Sequence, residues 1–262
     1  MREKISVCIT AGNEEKHIRR CLESVKWADE IIVVDSFSTD RTVEIAREYT
    51  QLVFRHKWLG YIGQKNLIKD LASHPWILFI DADEELSCEL RDEILYEFET
   101  GTNAAIAGYE FPRMVRYLGR WIKHGDWYPD FKMRLFRKDK ARCEGIEPHD
   151  RTKVAGIVKR LKSPLYHYTY DDISDQVSTI NRYSSIAAVE LINVKKNFLL
   201  FDIIFRPLWG FFRGYVLRRG FMDGLPGFII AVNVAYGIFL KYTKLWEQKK
   251  VKSTCVYGKN KP

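Results

Sequence analysis

An uncharged apolar run, Trp76-Ile77-Leu78-Phe79-Ile80, stops at two carboxylates set two residues apart, Asp81 and Asp83, with Glu84 and Glu85 behind them. So short a run is a poor helix and predicts a buried strand. Strands apolar on both faces belong to parallel sheets covered by helices, and in such sheets ligands bind beyond the carboxyl ends of the strands. Asp81 and Asp83 stand at such an end. The pair suits one hard divalent cation, since Mg²⁺ takes one or two carboxylates and fills its shell with water and substrate phosphates. The same acids would also serve as the cap and acidic first turn of a following helix. The rest of the chain weighs between these readings.

Upstream, residues 4–10 form a β-rich run with Val7 and Ile9 on one face. Asn13 is placed to cap a helix whose Ile18, Cys21, Leu22 and Val25 recur at helical spacing. Residues 30–35 predict a second buried strand that again ends in Asp. Ser38 or Asp40 caps a helix through about Tyr49, residues 51–55 form a third strand, 60–73 a helix and 76–81 a fourth strand. This alternation predicts an α/β fold, a mostly parallel sheet with helices on both faces. The ends of strands one, two and four then share one edge and present residues 11–14, 35–40 and 81–85.

That edge is acidic, so a nucleotide's phosphates would be repelled there unless a cation intervened. Asp35 suits a base or ribose, which are neutral. No GxGxxG follows the first strand and no GxxxxGK[ST] occurs anywhere, so both glycine-rich phosphate cradles are missing. A metal at Asp81 and Asp83 would then hold the phosphates.

Beyond residue 100 the pattern changes. Strands are expected at 104–111 and 132–137, an aromatic, glycine-bearing loop at 117–130, and a helix at 173–194 with Tyr183, Ile186, Ala187 and Leu191 as its spine. The expected division is a catalytic domain at 1–194, with halves 1–100 and 101–194, and an extension at 195–262. Charge supports it: the net charge is +8, yet residues 195–262 hold thirteen Lys/Arg against three acids. Two apolar runs lie there. Residues 198–217 are interrupted by Asp202, Arg206, Pro207 and Arg213. Residues 225–240 are sixteen uncharged residues, short of the roughly 20 that span a bilayer. Aromatics beside Arg218 and Arg219 suit an amphipathic helix lying on an anionic membrane surface. The alternatives are a helical hairpin packed on the main domain or against a second copy in a homo-oligomer, and a membrane-spanning helix. Nucleic acid is not expected, because the aromatics sit in apolar runs and not in polar grooves. Five cysteines without a CxxC pair fit reduced thiols in a cytoplasmic protein, and the charged first ten residues do not form a signal peptide.

Four motifs in order resemble family 2 glycosyltransferases of the GT-A fold. They are Thr10-Ala11-Gly12-Asn13-Glu14-Glu15, then Val33-Val34-Asp35-Ser36 with Ser38-Thr39-Asp40, then Gln64-Lys65-Asn66, then Asp81-Ala82-Asp83-Glu84. Downstream, Tyr117-Leu118-Gly119-Arg120-Trp121-Ile122, Gly125-Asp126-Trp127-Tyr128, Arg134-Leu135-Phe136-Arg137 and Leu165-Tyr166-His167-Tyr168 are similar to the lipopolysaccharide-core β-1,4-glucosyltransferase subgroup. The resemblance covers roughly residues 4–240. It implies a GT-A nucleotide-sugar-binding fold with a C-terminal amphipathic helical extension. It places the uracil of a UDP-sugar at the Asn13-Glu14 turn and Asp35, with Ala11 beside the base, the ribose and phosphates near Gln64 and Lys65, and the donor also at Ser36, Asp81 and Ala82. A divalent metal, Mg²⁺ or Mn²⁺, is implied on Asp81 and Asp83, with His167 completing the site. The family's base is the Asp of an x-Glu-Asp motif. This chain departs from it with Glu147-Pro148-His149-Asp150, which puts Asp150 in the last place and leaves His149 and Glu147 as fallbacks. The aromatic loop at 121–127 would stack on sugar faces. The implied activity is inverting transfer of a hexose, glucose at the family level, to a lipid-linked or lipopolysaccharide-core glycan by an enzyme peripheral on the inner leaflet. Two other readings stand beside it. A nucleotidyltransferase would want a glycine-rich basic loop where this chain has Asn13-Glu14-Glu15. A non-enzymatic protein would bind membrane through the basic C-terminal part.

Overall fold

The computed structural model describes residues 2–101, 105–146, 149–170, 172–193 and 200–251, with the backbone alone at 146, 149, 150, 200, 250 and 251. Two compact units divide the chain. One comprises Met1–Val115 with Asp130–Tyr168, the other Arg116–Pro129 with Thr169–Pro262.

In the first unit β1 (Ile5–Ala11), α1 (Ile18–Val25), β2 (Glu30–Asp35), α2 (Thr42–Arg47), β3 (Val53–Arg55), α3 (Gly60–Leu71) and β4 (Trp76–Asp81) alternate as the periodicity predicts. The strands lie in the order β3-β2-β1-β4, all parallel. β5 (Glu84–Leu86), α4 (Cys88–Glu99), β6 (Ile106–Tyr117), β8 (Asp130–Arg137), β11 (Ile157–Arg160) and β12 (Leu165–His167) continue the unit. β8 pairs antiparallel with both β4 and β6, so the sheet is mixed but mostly parallel, as expected. β9 (Ala141–Ile146) and β10 (His149–Val154) form a separate antiparallel ribbon.

β4 shows why its sequence has no polar break. Leu78 and Ile80 pack with Val7, Ile9, Ile18 and Leu22, while Ile77 and Phe79 pack with Cys8, Val34, Ile68 and Phe136. Successive side chains leave a strand on opposite faces, so a strand covered on both must be apolar throughout.

Three local expectations change. Asn13 does not cap α1, which starts at Ile18; Asn13 adopts a left-handed φ of 59° and its Oδ1 accepts the Thr39 N–H at 2.9 Å. Asp40, not Ser38, serves the start of α2, with Oδ1 accepting the Thr42 N–H at 3.0 Å, because Ser38 is turned inward to Asp35. Neither Asp81 nor Asp83 caps a helix: β5 intervenes, and Ser87 Oγ accepts the Leu90 N–H at 3.0 Å to cap α4. That removes the helix-cap reading of the two acids.

The cysteines make a checkable statement. Cys8, Cys21 and Cys143 are buried and unbridged, while Cys88 is exposed. Burial pushes the Cys8 and Cys21 thiols well above their usual pKa. A thiol reagent on the native protein should therefore modify Cys88 and spare these three until denaturant is added, as read by peptide mass spectrometry. Cys255 lies outside the described residues.

The second unit holds β7 (Arg120–Trp121), paired with Arg116 and Tyr117, and the helices α5 (Ile173–Asn193), α6 (Leu200–Phe212) and α7 (Gly224–Trp246). α6 and α7 meet through tight helical turns that require glycine. A Cβ on Gly227 would lie 2.0 Å from the Gly220 carbonyl oxygen. Together with the helical turns at its two ends, α7 exceeds the uncharged run: the helical stretch Gly220–Lys249 is 30 residues, long and apolar enough by length and composition to cross a membrane.

Candidate functional site

The strand ends of the first unit lie flush. Ala11 stands opposite Asp35 and Thr10 opposite Asp81 in the parallel ladders, at the reversal of strand order where such sheets bind ligands.

Two loops beyond β1 and β2 are stitched together there. The Asn13 N–H donates to Ser38 Oγ at 2.8 Å and the Glu14 N–H to Thr42 Oγ1 at 2.8 Å. Asp35 is fully buried; its carboxylate accepts the Ser38 N–H at 3.0 Å and the Ser38 hydroxyl, and Arg55 Nε lies 3.3 Å away. In this state Asp35 therefore anchors the loop that carries Ser36. Gln64 on α3 donates from Nε2 to Ser36 Oγ at 3.0 Å, while its own Oε1 is buried with no partner. An orphaned buried acceptor costs about 1–3 kcal/mol, so Gln64 is a strong candidate to receive a donor N–H or O–H. Asn66, two residues further on, exchanges two hydrogen bonds with the Cys143 backbone, at 3.0 and 3.2 Å. It thereby ties α3 to β9, the partner of the strand bearing His149 and Asp150. The backbone sets Asp150 opposite Gly145 and His149 opposite Ile146; Glu147 lies outside the described residues.

The carboxylate stretch is held by β8 and β12. Arg134 Nη2 lies 2.5 Å from both Asp81 Oδ2 and Glu84 Oε1, and Glu84 Oε2 accepts the Asp81 N–H at 3.0 Å. Arg134 and Glu84 are buried, whereas the Asp81 side chain is 34% exposed. Burial alone would raise the Asp81 pKa, but the Arg134 guanidinium and then the Lys65 ammonium outweigh it and hold the carboxyl well below the usual range. Asp83 points elsewhere: its Oδ2 lies 3.0 Å from His167 Nε2, and its carbonyl accepts the Tyr168 N–H at 3.0 Å. Ala82, between them, is buried.

Predicted residues thus fall into two groups: the loop set Ala11, Asn13, Glu14, Asp35, Ser36 and Gln64, and the acidic set Asp81, Asp83 and His167, with Lys65 placed by its effect on Asp81. Arg134 and Glu84 had no predicted role. The signal for Arg134 was its setting, an Arg between Met133 and Leu135 inside a strand. The aromatic loop is internal to the second unit: Trp127 packs on Tyr117 and Tyr170, with ring centroids 5.4 and 5.7 Å apart.

A hard divalent cation would find two neighbouring ligand atoms on Asp83 and His167, while Asp81 is turned to Arg134. Neighbouring ligands at about 2.1 Å in an octahedral shell lie about 3.0 Å apart, the spacing of Asp83 Oδ2 and His167 Nε2. His167 Nδ1 is buried without a partner. Among the described residues no three His, Cys, Asp or Glu converge to hold an ion by themselves. Water and donor phosphates would have to complete the shell, as Mg²⁺ prefers.

Comparison with known proteins agrees with this geometry. The sequence profile of glycosyl transferase family 2 matches residues 6–162. The chain is 35% identical over 257 residues to an uncharacterized glycosyltransferase of Rickettsia conorii, spanning 94% of this chain and 90% of that one. It is 30% identical over 256 residues to the lipopolysaccharide core biosynthesis glycosyltransferase LpsC of Rhizobium meliloti, spanning 95% and 94%. Among solved structures it is similar in fold to the mannosyltransferase PcManGT from Pyrobaculum calidifontis in complex with GDP-Man and Mn²⁺, with a TM-score of 0.55 at 10% identity over 95% and 89% of the two chains. The flush strand ends, the mixed but mostly parallel sheet and the match of profile and relatives lead to one conclusion: the chain belongs to glycosyl transferase family 2 and is a glycosyltransferase of the GT-A fold.

Proposed function

We propose that the enzyme transfers a hexose, glucose as the family-level choice, from a UDP-sugar to a hydroxyl of a lipopolysaccharide-core or similar lipid-linked glycan on the cytoplasmic leaflet, with inversion. The observation that carries the donor half is the single sheet edge that sets Ala11 and Ser36, hydrogen-bonded to Gln64, beside the Asp81–Asp83 acids without a glycine-rich phosphate cradle. The acceptor class is supported by identity to LpsC along almost the whole chain. Family membership sets aside the nucleotidyltransferase and non-enzymatic readings.

Asp81, Asp83 and His167 would hold Mg²⁺ or Mn²⁺, which when bound offsets negative charge on the leaving diphosphate. The chain's own residues do the rest. Lys65 adds positive charge beside Asp81. Arg134 and Glu84 fix the Asp81 carboxylate. Asp150 is the proposed base. It takes the proton of the acceptor hydroxyl, whose oxygen attacks the anomeric carbon opposite the diphosphate. The new C–O bond forms as the bond to the diphosphate breaks, and one carboxylate suffices where a glycosidase needs two.

Asp150→Asn should lower turnover at least about 10²-fold, the lower end for a positioned base, with UDP affinity unchanged. Should Glu147→Gln be the inactive variant instead, the base is Glu147. The donor is tested by thermal shift with UDP-, GDP- and dTDP-sugars plus Mn²⁺. UDP-sugars should give the largest rise, and a response confined to GDP-sugars would overturn the assignment.

A further inference from the structure

The second unit wears its apolar side chains outward. On α6 Phe201, Ile204, Phe205, Leu208, Trp209 and Phe212 recur at helical spacing as one stripe, and all are exposed, Leu208 by 62%. On α7 Leu225, Phe228, Val232, Tyr236 and Phe239 form a second stripe, Leu225 being 69% exposed. Asn233 and Lys244 of α7 turn the other way. Asn233 is buried and donates from Nδ2 to Gln176 Oε1 of α5 at 2.5 Å. Lys244 Nζ donates to Asn181 Oδ1, Ser184 Oγ and Ser185 Oγ of α5 at 2.7, 2.8 and 2.8 Å. A helix on a water-facing surface has the reverse polarity. Only 28% of the most apolar window of α7 is buried, so this is not a core helix.

The two stripes belong to one hairpin. α6 and α7 are close-packed at Gly210, where an added Cβ would lie 2.6 Å from Ile238 Cδ1, and Phe211 meets Phe228 with ring centroids 5.9 Å apart. So large an outward apolar area needs an occupant. Charge selects it. Arg206, Arg218 and Arg219 are exposed on or beside the hairpin, and residues 195–262 carry ten more cations than acids. A subunit interface depletes lysine and charge at its core, whereas an anionic lipid surface attracts clustered Lys and Arg. Exposed Trp209, Tyr236 and Trp246 are residue types that settle at headgroup level. Arg206 and Pro207 in the middle of α6 disfavour that helix as a span and favour one lying in the interface plane.

We propose that the α6–α7 hairpin docks in the plane of an anionic lipid bilayer, both stripes sunk into the acyl boundary and the flanking arginines among the headgroups. The inference deepens the lipid-linked acceptor reading, but it is drawn from the hairpin alone.

The test is co-sedimentation of the full chain with phosphatidylglycerol-containing vesicles and with pure phosphatidylcholine vesicles, at low and high salt. The intact protein should bind the anionic vesicles at low salt, and binding should fall severalfold at high salt without vanishing, because apolar insertion is not screened. Leu208→Glu/Trp209→Glu should lower the bound fraction at least tenfold while keeping the parent's oligomeric state and UDP-induced thermal shift. The proposal is overturned if the intact protein ignores anionic vesicles at low salt. It is overturned equally if the double variant binds as the parent does, or if that variant splits an oligomer, in which case a second copy covers the face. A failure of UDP-induced shift in both proteins would instead strike the donor assignment and leave the docking result readable.

Discussion

Asp83→Asn is expected to leave the protein folded and to lower sugar transfer by about 10³-fold, since charge stabilisation at a bound ion is worth several kcal/mol and each 1.4 kcal/mol is tenfold. The fold should survive because the side chain is one-quarter exposed and its carboxylate meets His167, 3.0 Å away, with which an Asn can still hydrogen-bond. Such a change alters stability by about 0.5 kcal/mol or less. The readout besides turnover is binding. For the parent, the thermal shift given by UDP should be much larger with Mn²⁺ than with excess EDTA; for Asp83→Asn the two shifts should be equal. Full transfer by the parent in excess EDTA would sink the metal assignment while leaving the glycosyltransferase assignment standing. His167→Gln should lie between, because a neutral amide keeps one ligand atom but loses the imidazole.

How far the chain could be read in advance depended on the range of the interactions. β4 was legible because burial on both faces demands an unbroken apolar run, a property of adjacent residues. The alternation through residue 81 followed for the same reason. Helix starts were less legible. Asn13 looks like a cap by type, yet its Oδ1 is taken by the Thr39 N–H, a partner 26 positions away. Asp35 read as a residue facing a nucleotide; the fold shows it fully buried beneath its own loop, held by Ser38 and Arg55. The acids at 81–84 were legible as a cluster at a strand end, but not the partner each one takes. Those partners come from β8 and β12, which place Arg134 against Asp81 and Glu84 and His167 against Asp83. The C-terminal helices were legible as basic and apolar. Which side each polar residue faces was not, because the outward stripe is defined only once α5 has taken Asn233 and Lys244.

Arg134→Met is the second large effect expected, and it separates a structural cation from a bystander. Arg134 is 5% exposed and its Nη2 touches Asp81 and Glu84 at 2.5 Å each. Glu84 is 1% exposed, and its other cationic neighbour, Arg113, is 3.8 Å away and engaged with Asp130 at 2.8 Å. Removing the guanidinium leaves a buried carboxylate without its close counter-charge, a defect that typically costs about 3–5 kcal/mol. Urea unfolding should show that loss. Its pH dependence has a defined sign. Arg134 lowers the Asp81 pKa, so the contribution of that pair is complete above the unfolded value of about 3.9 and is lost as pH falls toward the folded value. The stability gap between parent and variant should therefore narrow as pH falls below about 4. Glu84→Gln in the Arg134→Met background should recover part of the loss, since the neutral amide removes the uncompensated charge, and the double variant should be more stable than the sum of the singles by about 1 kcal/mol or more. Arg134→Lys should restore less than half, because an ammonium on a shorter reach cannot present the planar fork. If Arg134→Met unfolds within about 1 kcal/mol of the parent and transfers sugar at the parent's rate, then Asp81 is positioned by its own backbone contacts and the guanidinium is incidental to the site.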